Sequence, residues 1–477
     1  MERINAWNTY DLEMQKDCND FARDYMNFMD RGKTERECVD YFINEAEKEG
    51  YRELSALIAE GKPLKAGDKV YAAWMDKSLV MFRIGTEPFE NGLNILGAHI
   101  DSPRLDIKQN PLFEDSGLAL METHYYGGIK KYQYVTLPLA IHGVVVKKSG
   151  ETVVLNIGED EDDPVFFISD LLIHLSQEQM KKPAASVIEG EALDLIVGSR
   201  PIVIDADTKA GREGKEPSEK DAVKTAILTI LEMNYGIKEE DFESAELEVV
   251  PAGKAREAGF DRSMILAYGQ DDRSCAYPSF RAHMEQEDIK RTAVLLLVDK
   301  EEIGSVGATG MRARYFENAV AEVMNLCGAY SELSLRRTLA NSCMLSSDVS
   351  AALDPTYKSV FEAKNCSFLG RGMAFNKFTG ARGKSGSNDA NAEYIAHLRG
   401  IFDEAGVMTQ TAELGKVDVG GGGTIAYIMA LYGMNVIDSG VPVLSMHSPW
   451  EAISKADLFE AFKGYKAFLK SASLRNM

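Results

Sequence analysis

The stretch Ala293-Val294-Leu295-Leu296-Leu297-Val298-Asp299-Lys300-Glu301-Glu302-Ile303-Gly304-Ser305 decides the fold. Its first six residues are apolar, and such a short apolar run is typical of a strand buried on both faces inside a parallel sheet. Open α/β folds bind their ligands at the carboxyl edge of that sheet. We therefore expect Glu301 and Glu302 to lie at a functional edge and to point in opposite directions, as neighbours on a strand do. A simpler interpretation is an exposed Glu-Glu pair that caps the strand.

The composition indicates a soluble globular protein with two domains. The chain has 477 residues, of which 45% are hydrophobic and 27% charged, and this length exceeds the usual size of one domain. Its formal net charge of −21 argues against a partner that is nucleic acid or an anionic membrane, because binding to phosphate depends on clustered Lys and Arg. No apolar run approaches the ~20 residues that a membrane helix needs. Six scattered cysteines without a Cys-x-x-Cys pair predict reduced thiols in a cytoplasmic protein.

The chain changes character in its second quarter. Short strand patterns such as 132–146 are followed by a polar tract from Asp205 to Lys220, whose composition is typical of a mobile loop. The regions before and after this part combine helical patterns with apolar strands. We therefore predict an α/β domain made of residues 1–104 and 251–477, interrupted by an inserted, mostly β domain at residues 105–250.

Potential metal ligands follow the apolar segments of the α/β domain. Each of them alone is also explained by ordinary turn or helix-cap chemistry. If the strands share one sheet and one edge, however, the side chains converge, and two imidazoles with bridging and terminal carboxylates suit a pair of zinc ions about 3.5–4 Å apart. Manganese and cobalt suit the same donors. The segments end in His99, Asp271, Glu301 with Glu302, Asp348 and His447.

Three other features accompany this set. In the His-x-Asp of His99 and Asp101, the carboxylate is placed to orient the imidazole. The glycines Gly420 to Gly423 precede a helical run over 425–433, where bare backbone amides would hold an anion or a polarised carbonyl oxygen. Their spacing matches neither a dinucleotide fingerprint nor a P-loop. His174 lies in an apolar context, Leu171 to Leu175, which by itself indicates a packed structural histidine.

Together, five motifs resemble those of the aspartyl aminopeptidase / aminopeptidase I family of zinc metallopeptidases, in the same order and over nearly the whole chain. The resemblance implies a three-layer catalytic domain around a central mixed sheet. It also implies that the inserted domain mediates dimers, and that the dimers build homo-oligomeric particles of twelve subunits. The motifs are Gly97-Ala98-His99-Ile100-Asp101-Ser102-Pro103, Gln270-Asp271-Asp272, Asp299-Lys300-Glu301-Glu302-Ile303-Gly304-Ser305, Ser347-Asp348 and Ser445-Met446-His447-Ser448.

Carried over position by position, the resemblance also implies the roles of individual residues. Glu301 is the general base, acting with a bridging hydroxide, and Asp101 orients a histidine ligand. His174 reaches the site of a neighbouring subunit and contacts the substrate there. Two zinc ions per subunit are held by His99, Asp271 as the bridge, Glu302, Asp348 and His447.

The implied activity is hydrolysis of the N-terminal bond of peptides that carry a free amino group. Two preferences for the first residue stay open. Lys377, with Arg382 and Lys384 close by, is the candidate for reading an acidic residue, whereas relatives of the aminopeptidase I type prefer neutral or apolar residues. Gly423 is a further candidate for substrate binding. The alternatives are a related two-metal carboxypeptidase or deacylase, and a non-catalytic assembly protein whose metals are structural.

Overall fold

The structure, a computed structural model, describes residues 4–201, 221–380 and 383–473. It divides the chain into two compact units, Met1–Ser102 with Ala255–Met477 and Pro103–Lys254. The polar tract predicted to be a mobile loop, 205–220, lies outside the described residues, as does Arg382. The dimerisation role of the inserted unit stays a prediction.

The helices and strands are numbered in chain order. Before the insertion they are α1 (Leu12–Met29), α2 (Glu35–Lys48), β1 (Arg52–Glu53), α3 (Leu54–Glu60), β2 (Lys69–Trp74), β3 (Ser78–Arg83) and β4 (Asn94–His99). In the inserted unit they are β5 (Arg104–Asp115), β6 (Leu118–Tyr126), β7 (Leu139–Val146), β8 (Thr152–Ile157), β9 (Leu195–Gly198), α4 (Ala222–Tyr235) and β10 (Ala245–Pro251). After the insertion they are β11 (Arg256–Ala258), β12 (Met264–Ala267), α5 (Gln270–Met284), β13 (Ala293–Val298), α6 (Tyr315–Leu326), α7 (Glu332–Ala340), β14 (Cys343–Ser346), β15 (Ser350–Ala351), β16 (Met373–Asn376), α8 (Ala392–Glu404), β17 (Thr409–Thr411), α9 (Ala426–Ala430), β18 (Asn435–Gly440), β19 (Pro442–Leu444), β20 (Glu451–Ser454) and α10 (Lys455–Ser471).

The larger unit is built on a mixed sheet, which confirms the predicted α/β class. Its described strands follow the order β1-β2-β3-β13-β4-β14-β18-β16-β17. At its centre β13, β4, β14 and β18 run parallel, whereas β3 pairs with β13 in the antiparallel sense. The strand that decides the fold is therefore central, as its apolar sequence predicts, but only one of its two neighbours is parallel.

Side chains of β13 alternate between two hydrophobic cores. Ala293, Leu295 and Leu297 pack into a core shared with α1, α2, α5, α8 and α10. The intervening Val294, Leu296 and Val298 pack into a second core, shared with α3, α6, α7 and α9. All six are fully buried, and each valine or leucine removed from water contributes about 1.5–3 kcal/mol. Helices thus cover both faces of the sheet, and this arrangement is the three-layer fold that the resemblance implies.

A smaller sheet in the same unit corrects one expectation. Its described strands follow the order β11-β12-β20-β19-β15. Asp271 follows β12 and His447 follows β19, whereas the other ligand candidates follow strands of the large sheet. The expectation that all the ligand-bearing strands share one sheet is therefore wrong, and convergence requires the edges of two sheets to meet.

The inserted unit is mostly β, as predicted. Its described strands form a sheet in the order β8-β7-β10-β5-β6-β9, with antiparallel pairing between neighbours. It has a hydrophobic core of its own, which includes Leu105, Tyr134, Leu193 and Val249.

No helix among the described residues is long and apolar enough to cross a membrane. No disulfide joins the six cysteines, all of which lie in the described part of the chain. A cytoplasmic location stays a prediction that rests on the cysteine pattern.

A buried histidine links α5 to β13. Asp271 lies in the first turn of α5, and Glu301 and Glu302 follow β13. In the larger unit the hydroxyl of Tyr51 donates to Nδ1 of His283 at 3.1 Å, and Nε2–H donates to the carbonyl oxygen of Ala293 at 3.3 Å. Burial of the ring lowers the pKa of His283 to about 4, because water no longer solvates the charged imidazolium.

This shift predicts a loss of stability in acid. The unfolded chain protonates His283 near pH 6.5, whereas the folded chain does so only near pH 4, so the unfolded state gains protons as the pH falls through this window. We expect His283 to cost about 3 kcal/mol of unfolding free energy between these pH values. His283→Gln should be less stable overall but should show a shallower pH dependence in denaturant unfolding. An unchanged slope between pH 6.5 and 4 would contradict this account.

Candidate metal centre

The ligand candidates meet where strands of the larger unit end. His99 is the last residue of β4, and Asp348 lies two residues beyond β14. Glu301 and Glu302 begin a short 3-10 turn, Glu301–Ile303, directly after the left-handed Lys300, which has a φ of 68°. In this turn one carboxylate oxygen of Glu301 lies within 4.8 Å of one of Glu302. The expectation that the two side chains point in opposite directions, as neighbours on a strand do, is therefore wrong, because the segment is a 3-10 turn.

Asp271 occupies the middle of the cluster. Its Oδ1 lies 3.1 Å from Nε2 of His99, and its Oδ2 lies 3.3 Å from Nε2 of His447. Gly269, with a φ of 72°, turns the chain just before it, and a Cβ there would meet the buried guanidinium of Arg273. One carboxylate thus faces two imidazoles with different oxygens, which is the geometry of a bridging ligand.

Two groups of three potential ligands share this carboxylate. His99, Asp271 and Asp348 place one donor atom each within 4.8 Å of the others, and so do Asp271, Glu302 and His447. A third such group, His99 with Glu301 and Glu302, overlaps both. The structure therefore brings together all five predicted ligands and the predicted general base.

Burial and neighbouring charges shift the pKa values of the acidic residues in the cluster. Burial raises the pKa of Glu302 and of Asp348 well above the ordinary range, and repulsion from Asp271 adds to the effect. Burial likewise raises the pKa of Glu301 to about 7, with repulsion from Asp101 and Asp271 in the same direction. Burial disfavours a charged Asp271, but its hydrogen bonds with His447 and His99 outweigh that effect and lower its pKa.

These donors fit divalent zinc. Nδ1 of His99 donates to the backbone oxygen of Asp101 at 3.0 Å, so in the neutral imidazole the lone pair of Nε2 faces the carboxylate of Asp271. Two lone pairs in that position repel unless a proton or a cation lies between them. The buried Oε1 of Glu302 makes no hydrogen bond within the described part of the chain. Imidazole nitrogens and carboxylate oxygens are the ligands of catalytic zinc, and a cation would relieve the repulsion among the carboxylates.

Asp101 contacts the acidic turn as well as His99, the contact that was predicted for it. Its Oδ1 lies 3.4 Å from Nδ1 of His99, consistent with the orienting role. The same carboxylate also accepts hydrogen bonds from the backbone amides of Glu301 at 3.1 Å and Glu302 at 3.2 Å. It is fully buried and thus fixes the acidic turn against the end of β4. The sequence contains no signal for these long-range contacts.

A cavity of about 370 Å³ opens over the cluster. Most of its walls come from segments outside the five motifs, although Met446 lies within one of them. Leu414, Tyr427 and Met446 supply apolar surface, and Asn376 supplies an amide. The remaining lining residues are Asp271, Glu301, Glu302, Gly304, Ser305, Asp348, Val349, Thr379, Gly421, Gly422, Gly423, Thr424 and His447.

The predicted substrate-binding residues fall in different places. Gly423 lines the cavity, although the helix that follows is only Ala426–Ala430 and is shorter than predicted. Lys377 is half-exposed, and its ammonium pairs with Asp389 at 2.9 Å. Lys384 pairs with the same carboxylate at 3.1 Å. Neither lysine is among the described residues that line the cavity.

His174 belongs to the inserted unit. It lies in an exposed 3-10 turn, Ile173–Leu175, and not in an apolar core, so the interpretation of a packed structural histidine is wrong. Its neighbours Leu171, Leu172, Ile173 and Leu175 are 45%, 54%, 68% and 68% exposed. The turn therefore presents a histidine within an exposed aliphatic surface.

The fold and the cluster together define a candidate metal-dependent hydrolase, and comparisons with known proteins agree. A model of the family described as aminopeptidase I zinc metalloprotease (M18) matches residues 28–469. A probable M18 family aminopeptidase 1 from Clostridium acetobutylicum is 59% identical over 470 residues, which cover 98% of this chain and 98% of that protein.

Solved structures support the same fold. The crystal structure of an M18-family aminopeptidase from Thermotoga maritima superposes with a TM-score of 0.91 at 44% identity, covering 99% of this chain and 100% of that one. A dodecamer of S. cerevisiae mApe1 shares the fold at 20% identity, with a TM-score of 0.73 over 94% of this chain and 96% of that one.

The chain belongs to the aminopeptidase I zinc metalloprotease family (M18). The predicted family and enzyme class are therefore confirmed: the protein is a zinc-dependent aminopeptidase. This assignment favours the aminopeptidase over the carboxypeptidase, deacylase and assembly-protein alternatives.

Proposed function

We propose that the protein removes the first residue from peptides at a two-zinc site. The observation that carries this proposal is Asp271, whose two carboxylate oxygens face His99 and His447 separately. His99 and Asp348 would complete one zinc site, and Glu302 and His447 the other. Zinc bound there supplies Lewis acidity, which lowers the pKa of water and polarises the scissile carbonyl.

Glu301 acts as the general base and then as the general acid. Its carboxyl lies in the cavity beside the cluster, and its backbone is fixed by Asp101. It takes a proton from the attacking water and delivers that proton to the nitrogen of the leaving amine. Asp101 supports this step by holding the turn, without touching the substrate.

Exopeptidase selectivity follows from the free amino group of the substrate. The carboxylates beside the cavity, with their zinc, offer a partner for an α-ammonium or amine, and an internal peptide bond lacks that group. A site that binds the amino group discriminates against substrates without it, because the polar group of the site then lacks a partner.

A neutral or apolar first residue suits the cavity better than an acidic one. Leu414, Tyr427 and Met446 supply apolar walls, and Gly421 to Gly423 leave room between them. The ammonium groups of Lys377 and Lys384 are both paired with Asp389. An acidic side chain in the cavity would thus lack a matching cation among the described residues that line it.

Assembly into dimers, and from dimers into a dodecamer, would complete the site. The inserted unit carries His174 on an exposed surface with Leu171, Leu172, Ile173 and Leu175. Isolated surface leucines are ordinary, but four aliphatic side chains around one histidine are typical of an interface. In a second copy of the chain, His174 would donate to the oxyanion of the tetrahedral intermediate.

The two adjacent glutamates should separate catalysis from metal binding. Glu301→Gln removes the proton acceptor but no proposed ligand, so we expect full zinc content and a kcat lowered by roughly 10²- to 10⁴-fold. Glu302→Gln removes a ligand, so we expect loss of zinc as well as activity. Elemental analysis and steady-state rates on an amino-acid p-nitroanilide measure both effects. Near-normal turnover of Glu301→Gln would remove Glu301 from its role.

Complementation tests the role of His174 across subunits. His174→Ala should retain zinc and lower kcat by about 10²–10³-fold, as loss of an oxyanion donor does. When His174→Ala and Glu301→Gln are co-expressed, each mixed dimer would have one complete site. We therefore expect about a quarter of wild-type activity from random pairing of isologous subunits. Activity no higher than the sum of the two variants alone would place His174 outside a shared site.

A substrate panel tests the preference for the first residue. With one fluorogenic leaving group, we expect kcat/KM for leucine or methionine to exceed that for aspartate by at least about tenfold. Lys377→Ala should leave this ratio unchanged. A preference for aspartate that disappears in Lys377→Ala would instead show that Lys377 reads an acidic side chain.

A further inference from the structure

Glu451 is a buried carboxylate beside the metal centre that no sequence motif included. It is 1% exposed and begins β20, where it pairs with Ala267 of β12. Its backbone oxygen accepts a hydrogen bond from the side chain of Gln270 at 3.4 Å, and the hydroxyl of Tyr25 donates to that same side chain at 2.5 Å. The backbone of Glu451 is therefore held by strand pairing and by a hydrogen bond inside the larger unit.

Both oxygens of Glu451 accept backbone hydrogen bonds from proposed zinc ligands. Oε2 accepts from the amide of Asp271 at 3.2 Å, and Oε1 accepts from the amide of His447 at 2.7 Å. These two residues come from segments far apart in the sequence. One carboxylate thus sets the distance between the bridging ligand and a terminal imidazole.

This arrangement parallels the one at Asp101. Asp101 accepts from the amides of Glu301 and Glu302, and Glu451 accepts from the amides of Asp271 and His447. Four of the six cluster residues are therefore positioned through their backbone by just two carboxylates. Because each carboxyl group accepts from two amides at once, these contacts restrain the backbone at both positions.

His447 has a particular need for such a restraint. Its φ is 64°, in the left-handed region that a residue with a side chain adopts only at an energetic cost. Its side chain is also 34% exposed, compared with 2% for the other proposed histidine ligand, His99. The bond from its amide to Glu451 helps to hold His447 in this conformation, with the imidazole beside Asp271.

We propose that Glu451 is a positioning residue that presets Asp271 and His447 for zinc through their backbone amides. This inference rests on the proposed two-zinc function. Glu451 belongs to none of the groups of potential ligands and does not line the cavity, so we expect its effect to be on the affinity for zinc. Partners of metal ligands typically change that affinity 10–100-fold, and we expect a loss of about this size in Glu451→Gln. An amide fails here because its NH₂ would face one of the two backbone N–H groups.

A matched control exists in the same unit. Asp457 is also a fully buried carboxylate that accepts from two backbone amides, those of Gly370 and Gly372, both at 2.7 Å. It makes no contact with the zinc ligands in the described structure. Asp457→Asn should therefore destabilise the fold in a comparable way while the affinity for zinc stays at the wild-type value.

The experiment measures zinc affinity by competition with a chromophoric chelator, together with the melting temperature and kcat at saturating zinc. Glu451→Gln should bind zinc 10–100-fold more weakly and recover most of its kcat when zinc is saturating. Equal zinc affinity in Glu451→Gln and wild type, or equal losses in Glu451→Gln and Asp457→Asn, would overturn the proposal. If Glu302→Gln also binds zinc like wild type, the two-zinc function itself fails, so the two failures are distinguishable.

A second variant and a second measurement cover the case in which Glu451→Gln does not fold. Glu451→Asp keeps the carboxyl group but is too short to span both amides, and it should lose zinc affinity by about tenfold. In the unmodified, zinc-free protein, the amide protons of Asp271 and His447 should exchange slowly with solvent. Fast exchange of the His447 amide would contradict the proposed restraint.

Discussion

The Asp271 carboxylate, placed between two imidazoles, is the interaction on which the rest of the site depends. It lies 3.1 Å from one ring and 3.3 Å from the other, and the carboxyl groups of three partly buried residues lie close to it. Such a concentration of negative charge is unfavourable in a protein interior unless cations compensate it. This cluster of carboxyl groups is therefore stable only when a divalent metal is bound or when some of the carboxyl groups are protonated.

Strands of two sheets hold the charged side chains in place. The large sheet supplies His99, the acidic turn and Asp348, and the smaller sheet supplies Asp271 and His447. Each sheet edge carries a buried carboxylate, Asp101 or Glu451, that holds two backbone amides of the cluster. Ligand geometry is thus fixed by main-chain contacts, which leaves the side-chain donors of the ligands available to zinc.

The sequence predicted those parts of the site that depend on local pattern. The apolar run of β13 and its length predicted a central buried strand, and the motif order predicted which residues converge. It failed where long-range pairing decides the outcome. Nothing near Asp271 or His447 shows that their strands form a separate sheet, because strand pairing depends on residues far away in the chain.

The sequence also did not predict the local backbone conformation at the site. Lys300 adopts a left-handed φ of 68° and turns Glu301 and Glu302 into a 3-10 segment, although lysine carries no particular signal for that region. Glu451 reads as one more glutamate in a strand, four residues after His447, and only its contacts show its position. Gly423 was found because a glycine cluster is visible in a sequence, whereas Leu414 and Tyr427 were not, since single apolar or aromatic residues are common.

The most direct test of the convergence of these side chains on two cations is anomalous X-ray diffraction from zinc-loaded crystals, recorded on both sides of the zinc absorption edge. Two anomalous peaks should flank the Asp271 carboxylate, one beside His99 and Asp348 and the other beside Glu302 and His447. Their separation should be about 3.5–4 Å. A single peak, or zinc bound elsewhere on the molecule, would contradict the account.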